Sequence, residues 1–240
     1  MGALEVVALV VGGLGAGALS TVSGMGGGIL LVVALSLALG PHAALATTAP
    51  ALLAGNLHRL WLYRPALDRR IAGIFVIGAL PGALIGGLLS AGLPERALSW
   101  ILLGVTGFAL GRAVGLFQWK PPAHAYLPVA FGAGVLAASS GAGILVSPML
   151  VAGGLTGEAL IATGAAAAAV MHVGRIGGYG LAGLFGGAAL GVSLFLGAGI
   201  LAGNGVGRRL RDRLGEARCM RVTYAVLVAS VLGAIAGITR

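Results

Sequence analysis

Ser20-Thr21-Val22-Ser23-Gly24-Met25-Gly26-Gly27-Gly28 interrupts an apolar run that extends from residue 3 to residue 39. About 20 apolar residues cross a bilayer as a helix, so this run is too long for one simple span. Its middle is too rich in glycine and serine to continue a regular helix. A helical hairpin or re-entrant segment is therefore predicted, with its irregular backbone buried in protein or lining a cavity. The run 124–152 has the same form, broken at Ser139-Ser140-Gly141-Ala142-Gly143. Continuous spans are predicted at 42–63, 71–90, 96–117, 157–180, 183–206 and 217–238.

Composition agrees with an all-α integral membrane protein. Of 240 residues, 58% are hydrophobic and 9% charged, and the mean hydropathy is +1.04, far from what a soluble domain needs at its surface. The net charge of +9 is held in short segments between spans, as in cytoplasmic membrane loops. Aromatic residues make up only 5% of the chain, too few for a base-stacking platform, so no nucleic-acid partner is expected. The lone Cys219 excludes an internal disulfide and a cysteine-built metal site. No cofactor or metal is expected. The run 3–19 lacks a basic leader and reads as part of the structure, not as a cleaved signal.

The two halves match at an offset of about 117 residues. Gly15, Gly17, Ser23, Gly24 and Gly26 correspond to Gly132, Gly134, Ser140, Gly141 and Gly143. One residue of slip later, Ala46-Thr47 matches Ala162-Thr163, Arg59 matches Arg175 and Tyr63 matches Tyr179. The chain is read as one membrane domain made of a first repeat, 1–117, and a second, 118–240. The basic loops around Arg64–Arg70, Arg112–Lys120 and Arg208–Arg218 all belong on the cytoplasmic side. That holds only if 3–39 and 124–152 each enter and return, leaving three net crossings per half. An odd number inverts the second repeat and puts both termini outside.

Such breaks are chemically useful. A helix N-terminus inside the membrane presents free N–H groups and a partial positive charge, and glycine lets a ligand approach the backbone. The termini near Gly24, Gly26, Gly27 and Gly28 and near Gly141, Gly143 and Pro148 are expected to meet around a small anion. Pro148 suits the first helical position there. Ser23, Ser139, Ser140 and Ser147 would add hydroxyl donors. The competing reading is that glycine merely lets helices pack closely, as at Gly82/Gly86 and Gly199/Gly203.

Arg59 and Arg175 are the second signal, with Asn56 and His172 one turn deeper at matching positions. Arg59 is expected to snorkel to the cytoplasm. Arg175, near the predicted outer face, is a candidate to attract or gate an anion through a forked contact. His58 and His172 could shuttle protons or simply hydrogen-bond within the bundle. His42 and His124 lie near span ends and read as interfacial. The acidic residues all sit near the ends of apolar stretches and none lies deep inside a predicted span, which argues against an acidic proton relay or a carboxylate-built sodium site.

The segment Ser23-Gly24-Met25-Gly26-Gly27-Gly28-Ile29-Leu30-Leu31, followed by Leu39-Gly40 and Ala46-Thr47, resembles the signature of the sulfite exporter TauE/SafE family. Ser140-Gly141-Ala142-Gly143-Ile144-Leu145-Val146-Ser147-Pro148 resembles a degenerate second copy, and Leu80-Pro81-Gly82-Ala83 fits as well. Val33, where the family often carries proline, and the shortened second glycine run depart from the pattern. The resemblance implies a multi-pass plasma-membrane permease for sulfite, sulfonate or sulfoacetate-like anions. A passive anion channel is the alternative, and an intramembrane serine hydrolase pairing Ser23 or Ser140 with His58 or His172 is a more distant one. The expected partners are a small anionic substrate and the lipid bilayer, with a homodimer possible.

Overall fold

The computed structural model describes residues 2–24, 27–116, 121–141 and 146–239. Among these the chain is all helical: α1 (Ala3–Ser23), α2 (Gly27–Leu39), α3 (Pro41–Leu62), α4 (Arg69–Gly92), α5 (Glu95–Ala113), α6 (Tyr126–Ser140), α7 (Val146–Ala152), α8 (Gly157–Leu181), α9 (Gly187–Leu214) and α10 (Glu216–Ile238). Short 3-10 turns at Arg64–Ala66 and Ala123–Ala125 complete it. Five helices, α1, α4, α8, α9 and α10, are long and apolar enough to cross a membrane. α3 is as long but more polar, while α2 and α6 are short apolar helices.

The breaks fall where the sequence puts them. α1 and α6 end on Gly24 and Gly141, with φ of 74° and 72°. Only glycine enters this left-handed region without a Cβ clash, so each helix stops there. Pro148 is the third residue of α7, not the first as expected. Its missing N–H is still one of the four that a helix start leaves unpaired.

Glycine seams hold the bundle together. A Cβ on Gly199 would lie 2.2 Å from the Val10 carbonyl, and one on Gly203 2.1 Å from that of Leu14. The constant offset makes α1 and α9 parallel, backbone against backbone. α4 and α6 pack in the same way, with Gly82 against Phe131 and Gly86 against Val135. The close-packing role read from these glycines is therefore correct. α3 packs on α9 and on α8, α8 packs on α4, and α5 packs on α10. Each of these pairings keeps or finds a counterpart when α1–α5 are exchanged with α6–α10, α1–α9 with α6–α4 and α3–α9 with α8–α4, whereas the packing of α2 on α10 has no comparable one among the described residues.

The two ends of the bundle differ in charge. At one end Arg211 donates to the Val22 carbonyl at 2.6 Å, and the Asp68 N–H donates to Thr163 Oγ1 at 3.0 Å. A cavity of about 440 Å³ there is lined by Thr156, Gly157, Arg211, Gly215, Glu216 and Cys219. The basic loops 64–70 and 208–218 thus share this end. At the other end a cavity of about 570 Å³ runs between Gly40, Glu95 and Thr239. His42 lies there, 3.1 Å from the Ser90 carbonyl and 3.6 Å from Glu95. α1 runs parallel to α9, so its N-terminus shares that far end with the C-terminus.

Candidate functional site

α3 and α8 form the centre of the bundle, and both are unusually polar for membrane helices. Their buried side chains include Thr47, Thr48, Asn56 and Arg59 on α3, and Thr163, His172 and Arg175 on α8. The broken helices close against this pair. A Cβ on Gly27 would lie 2.2 Å from the Ala16 carbonyl, so α2 folds back tightly on α1. Gly28 faces Leu52, halfway along α3, which sets the start of α2 near mid-height. Gly24 approaches Ile161 of α8, and Gly141 approaches Leu45 of α3, which are matching positions in the two halves.

Arg175 is fully buried. Its Nη1 donates to the Gly141 carbonyl at 3.4 Å and lies 3.2 Å from His172 Nδ1. Its Nη2 donates to the Leu45 carbonyl at 3.0 Å and to Thr48 Oγ1 at 3.4 Å. The guanidinium carbon sits 5.5 Å from the centre of the Tyr179 ring, and the Tyr179 hydroxyl donates to the Ala138 carbonyl. One side chain thereby joins the end of α6, the start of α3 and its own helix. Among these acceptors the Gly141 carbonyl belongs to the C-terminal end of α6, where carbonyls are left over and carry partial negative charge, so a cation is favoured there.

Arg59 repeats the arrangement at the opposite end of the pair. Its Nη1 donates to the Ser20 carbonyl in the last turn of α1 at 2.8 Å, and its Nη2 donates to Asn56 Oδ1. Asn56 in turn donates to the Leu52 carbonyl at 2.8 Å. The expectation that Arg59 snorkels to water is therefore corrected: the residue is 9% exposed and turned inward. The reason is the uncapped end of α1, whose carbonyls offer a nearer partner than bulk water. On α3 their partners Leu45 and Asn56 are 11 residues apart, about 17 Å along the helix, so the two guanidinium groups bind at different heights of the bundle.

Both arginines leave Nε buried without a partner among the described residues. Neither meets a carboxylate there, since the one ion pair is the distant His42–Glu95 contact. Two permanent cations thus sit in a low-dielectric interior, held only by carbonyls, a hydroxyl, an amide and an imidazole. Such a charge is costly unless something neutralises it.

The serines stand close by, with their protons already committed. Ser23, Ser139 and Ser140 donate to the carbonyls of Leu19, Val135 and Leu136, one turn back in their own helices. The expected role as ready hydroxyl donors is revised accordingly. Ser139, Ser140 and Ser147 are buried. Gly26 and Gly143 lie outside the described residues. His58 stacks on Trp61 at 6.1 Å, away from either arginine cluster's hydrogen bonds.

Sequence reasoning missed a polar tie between α1, α9 and α3. Thr21 donates to Asn204 Oδ1 at 3.0 Å, and Asn204 donates to the Gly55 carbonyl at 2.8 Å. Ser193 adds a bond to the Thr47 carbonyl at 2.7 Å. An asparagine alone in the apolar middle of α9 is the signal that could have exposed it.

No curated protein and no solved structure matches this chain. The profile of the sulfite exporter TauE/SafE family matches residues 9–234, nearly its whole length. A broken-helix bundle with two buried, carboxylate-free arginines is in keeping with that match, and the chain belongs to the sulfite exporter TauE/SafE family.

Proposed function

We propose that this multi-pass membrane transporter carries a small sulfur-containing anion of the sulfite, sulfonate or sulfoacetate class by alternating access across the plasma membrane. The observation that carries the reading is the pair of buried arginines, Arg59 and Arg175, each with an unpartnered Nε and no carboxylate beside it. A planar oxyanion satisfies a free guanidinium edge and neutralises its charge at once. The start of α2 near mid-height adds N–H groups at a second edge of the same space. Family membership supports the sulfur-anion class.

The exchange of contacts between α1–α5 and α6–α10 supports an inverted repeat about α3 and α8. In that reading the Arg59 and Arg175 clusters are the same half-site facing opposite sides of the membrane. The basic end is the cytoplasmic one. Opening one cluster while the other stays closed then exposes the anion to one side at a time.

A serine hydrolase gains no support from this geometry. The hydroxyls of Ser23 and Ser140 donate into their own helices, and the His172 ring faces a guanidinium. Counterflow of labelled sulfite in proteoliposomes, with sulfate, thiosulfate, sulfonates and carboxylates as competitors, tests the proposal. Saturable exchange blocked by sulfur oxyanions is expected. Flux that never saturates and lacks counterflow would identify a channel instead.

A further inference from the structure

The two arginine clusters differ at the residue one turn before each arginine, and that difference has a chemical consequence. Asn56 stands one turn before Arg59, and His172 stands one turn before Arg175. Each accepts from its arginine, Asn56 through Oδ1 and His172 through Nδ1 at 3.2 Å. Arginine has donors only, so Nδ1 must present a lone pair, which makes His172 a neutral imidazole here with its proton on Nε2. An amide oxygen cannot take up a proton near neutral pH, whereas an imidazole nitrogen can.

From this asymmetry we infer that His172 couples anion movement to a proton, so that an anion held by Arg175 travels together with one H⁺. The inference rests on the anion-carrier reading of the same site. An oxyanion that engages the Arg175 fork draws Nη1 away from His172 and cancels the guanidinium charge. Nδ1 is then left with an unused lone pair and no facing cation. A proton from the aqueous side binds Nδ1 and donates on to the anion. It returns to water on the other side when the anion leaves and Arg175 reoccupies Nδ1. Anion and proton therefore strengthen each other's binding, and by reciprocity the factor is the same in both directions.

Among the described residues, His172 is the side chain that both touches the Arg175 guanidinium and can take up a proton near neutral pH. On α8 its neighbours are Arg175, which stays charged, and Tyr179, whose hydroxyl is held by the Ala138 carbonyl. From α3 come Arg59, His42, which lies at the far end beside Ser90 and Glu95, and His58, which stacks on Trp61, while Glu158 and Arg64 belong to the basic end of α8 and of the turn that packs on it. α4 carries only Arg69 and Arg70, also at the basic end, and α6 and α7 carry no charged residue. Tyr126, at the start of α6, is the one titratable side chain on those two helices and again lies at the basic end.

The test uses the full chain in proteoliposomes with the membrane potential clamped, a lumenal pH dye, and labelled methanesulfonate as the probe. Methanesulfonate does not titrate in the working range, so any pH effect belongs to the protein. Uptake accompanied by lumenal acidification is expected, with accumulation approaching roughly tenfold per unit of imposed pH gradient. His172→Asn, which copies the partner of Arg59, should lose both the acidification and the pH dependence of substrate affinity, whatever its rate. For sulfite, which carries protons itself, the difference between the unmodified protein and His172→Asn isolates the protein's share. Saturable net uptake of methanesulfonate without acidification, and with one affinity from pH 6 to 8, would overturn the proton coupling and leave the carrier standing. Absence of counterflow for both anions would remove the carrier reading, and the coupling with it.

Discussion

Replacing Arg175 by lysine separates the charge of this residue from its shape. The substitution keeps the cation but removes the fork that spans Gly141, Leu45 and Thr48. A single ammonium reaches one of the two carbonyls and leaves the other buried and unpaired, at a cost of about 1–3 kcal/mol in stability. A charge-assisted contact to the anion is worth about 1.5–3 kcal/mol, so its loss should weaken substrate affinity roughly ten- to hundredfold. Competition counterflow in proteoliposomes reads the second quantity, and a thermal melt in detergent reads the first. Arg59→Lys should behave alike, because Arg59 holds Ser20 in the same manner. Lower stability with affinity unchanged would make Arg175 a structural tie between α6 and α3 and nothing more. No change in either would refute the geometry itself.

Three further outcomes follow from the same packing. Ser140→Leu forces a large side chain into a site that is 1% exposed and should abolish counterflow, whereas full activity would remove the second break from the transport path. Asn204→Leu leaves the Gly55 carbonyl without its donor and should destabilise the protein by about 1–3 kcal/mol, with an unchanged melt counting against the tie between α1, α9 and α3. Cys219 lines the cavity at the basic end and should react with an impermeant maleimide only from the cytoplasmic face, so labelling confined to the outer face would invert the orientation.

The elements of the bundle were legible because each is a local anomaly in composition. Glycine and serine inside the run 3–39 marked Gly24 as a helix end, and Arg59 and Arg175 announced themselves as charges inside apolar stretches. Their shared register with Asn56 and His172 was legible for the same reason. What escaped the sequence was direction. Arg59 turns inward because a carbonyl 39 residues earlier stands uncapped, and nothing local to Arg59 records that. The serine protons are spent within their own helices, a choice that hydroxyl counting cannot distinguish from readiness to bind a ligand. Asn204 stands alone in its apolar helix, and only its partners Thr21 and Gly55, both distant in the chain, give it a role.

The seam between α1 and α9 also bears on how the chain is made. Leu14 meets Gly203, so α1 waits for the synthesis of nearly 190 further residues before α9 arrives. At about 5–20 residues per second of synthesis, that wait is roughly 10–40 s. Through it, Thr21 and the glycines of α1 face lipid or an insertion factor in place of Asn204 and α9. α4 and α6, by contrast, find each other within a short stretch of chain. Biogenesis is thus asymmetric even where the finished packing is nearly symmetric, and a chain cut between α5 and α6 leaves α1 without the surface it was built to meet.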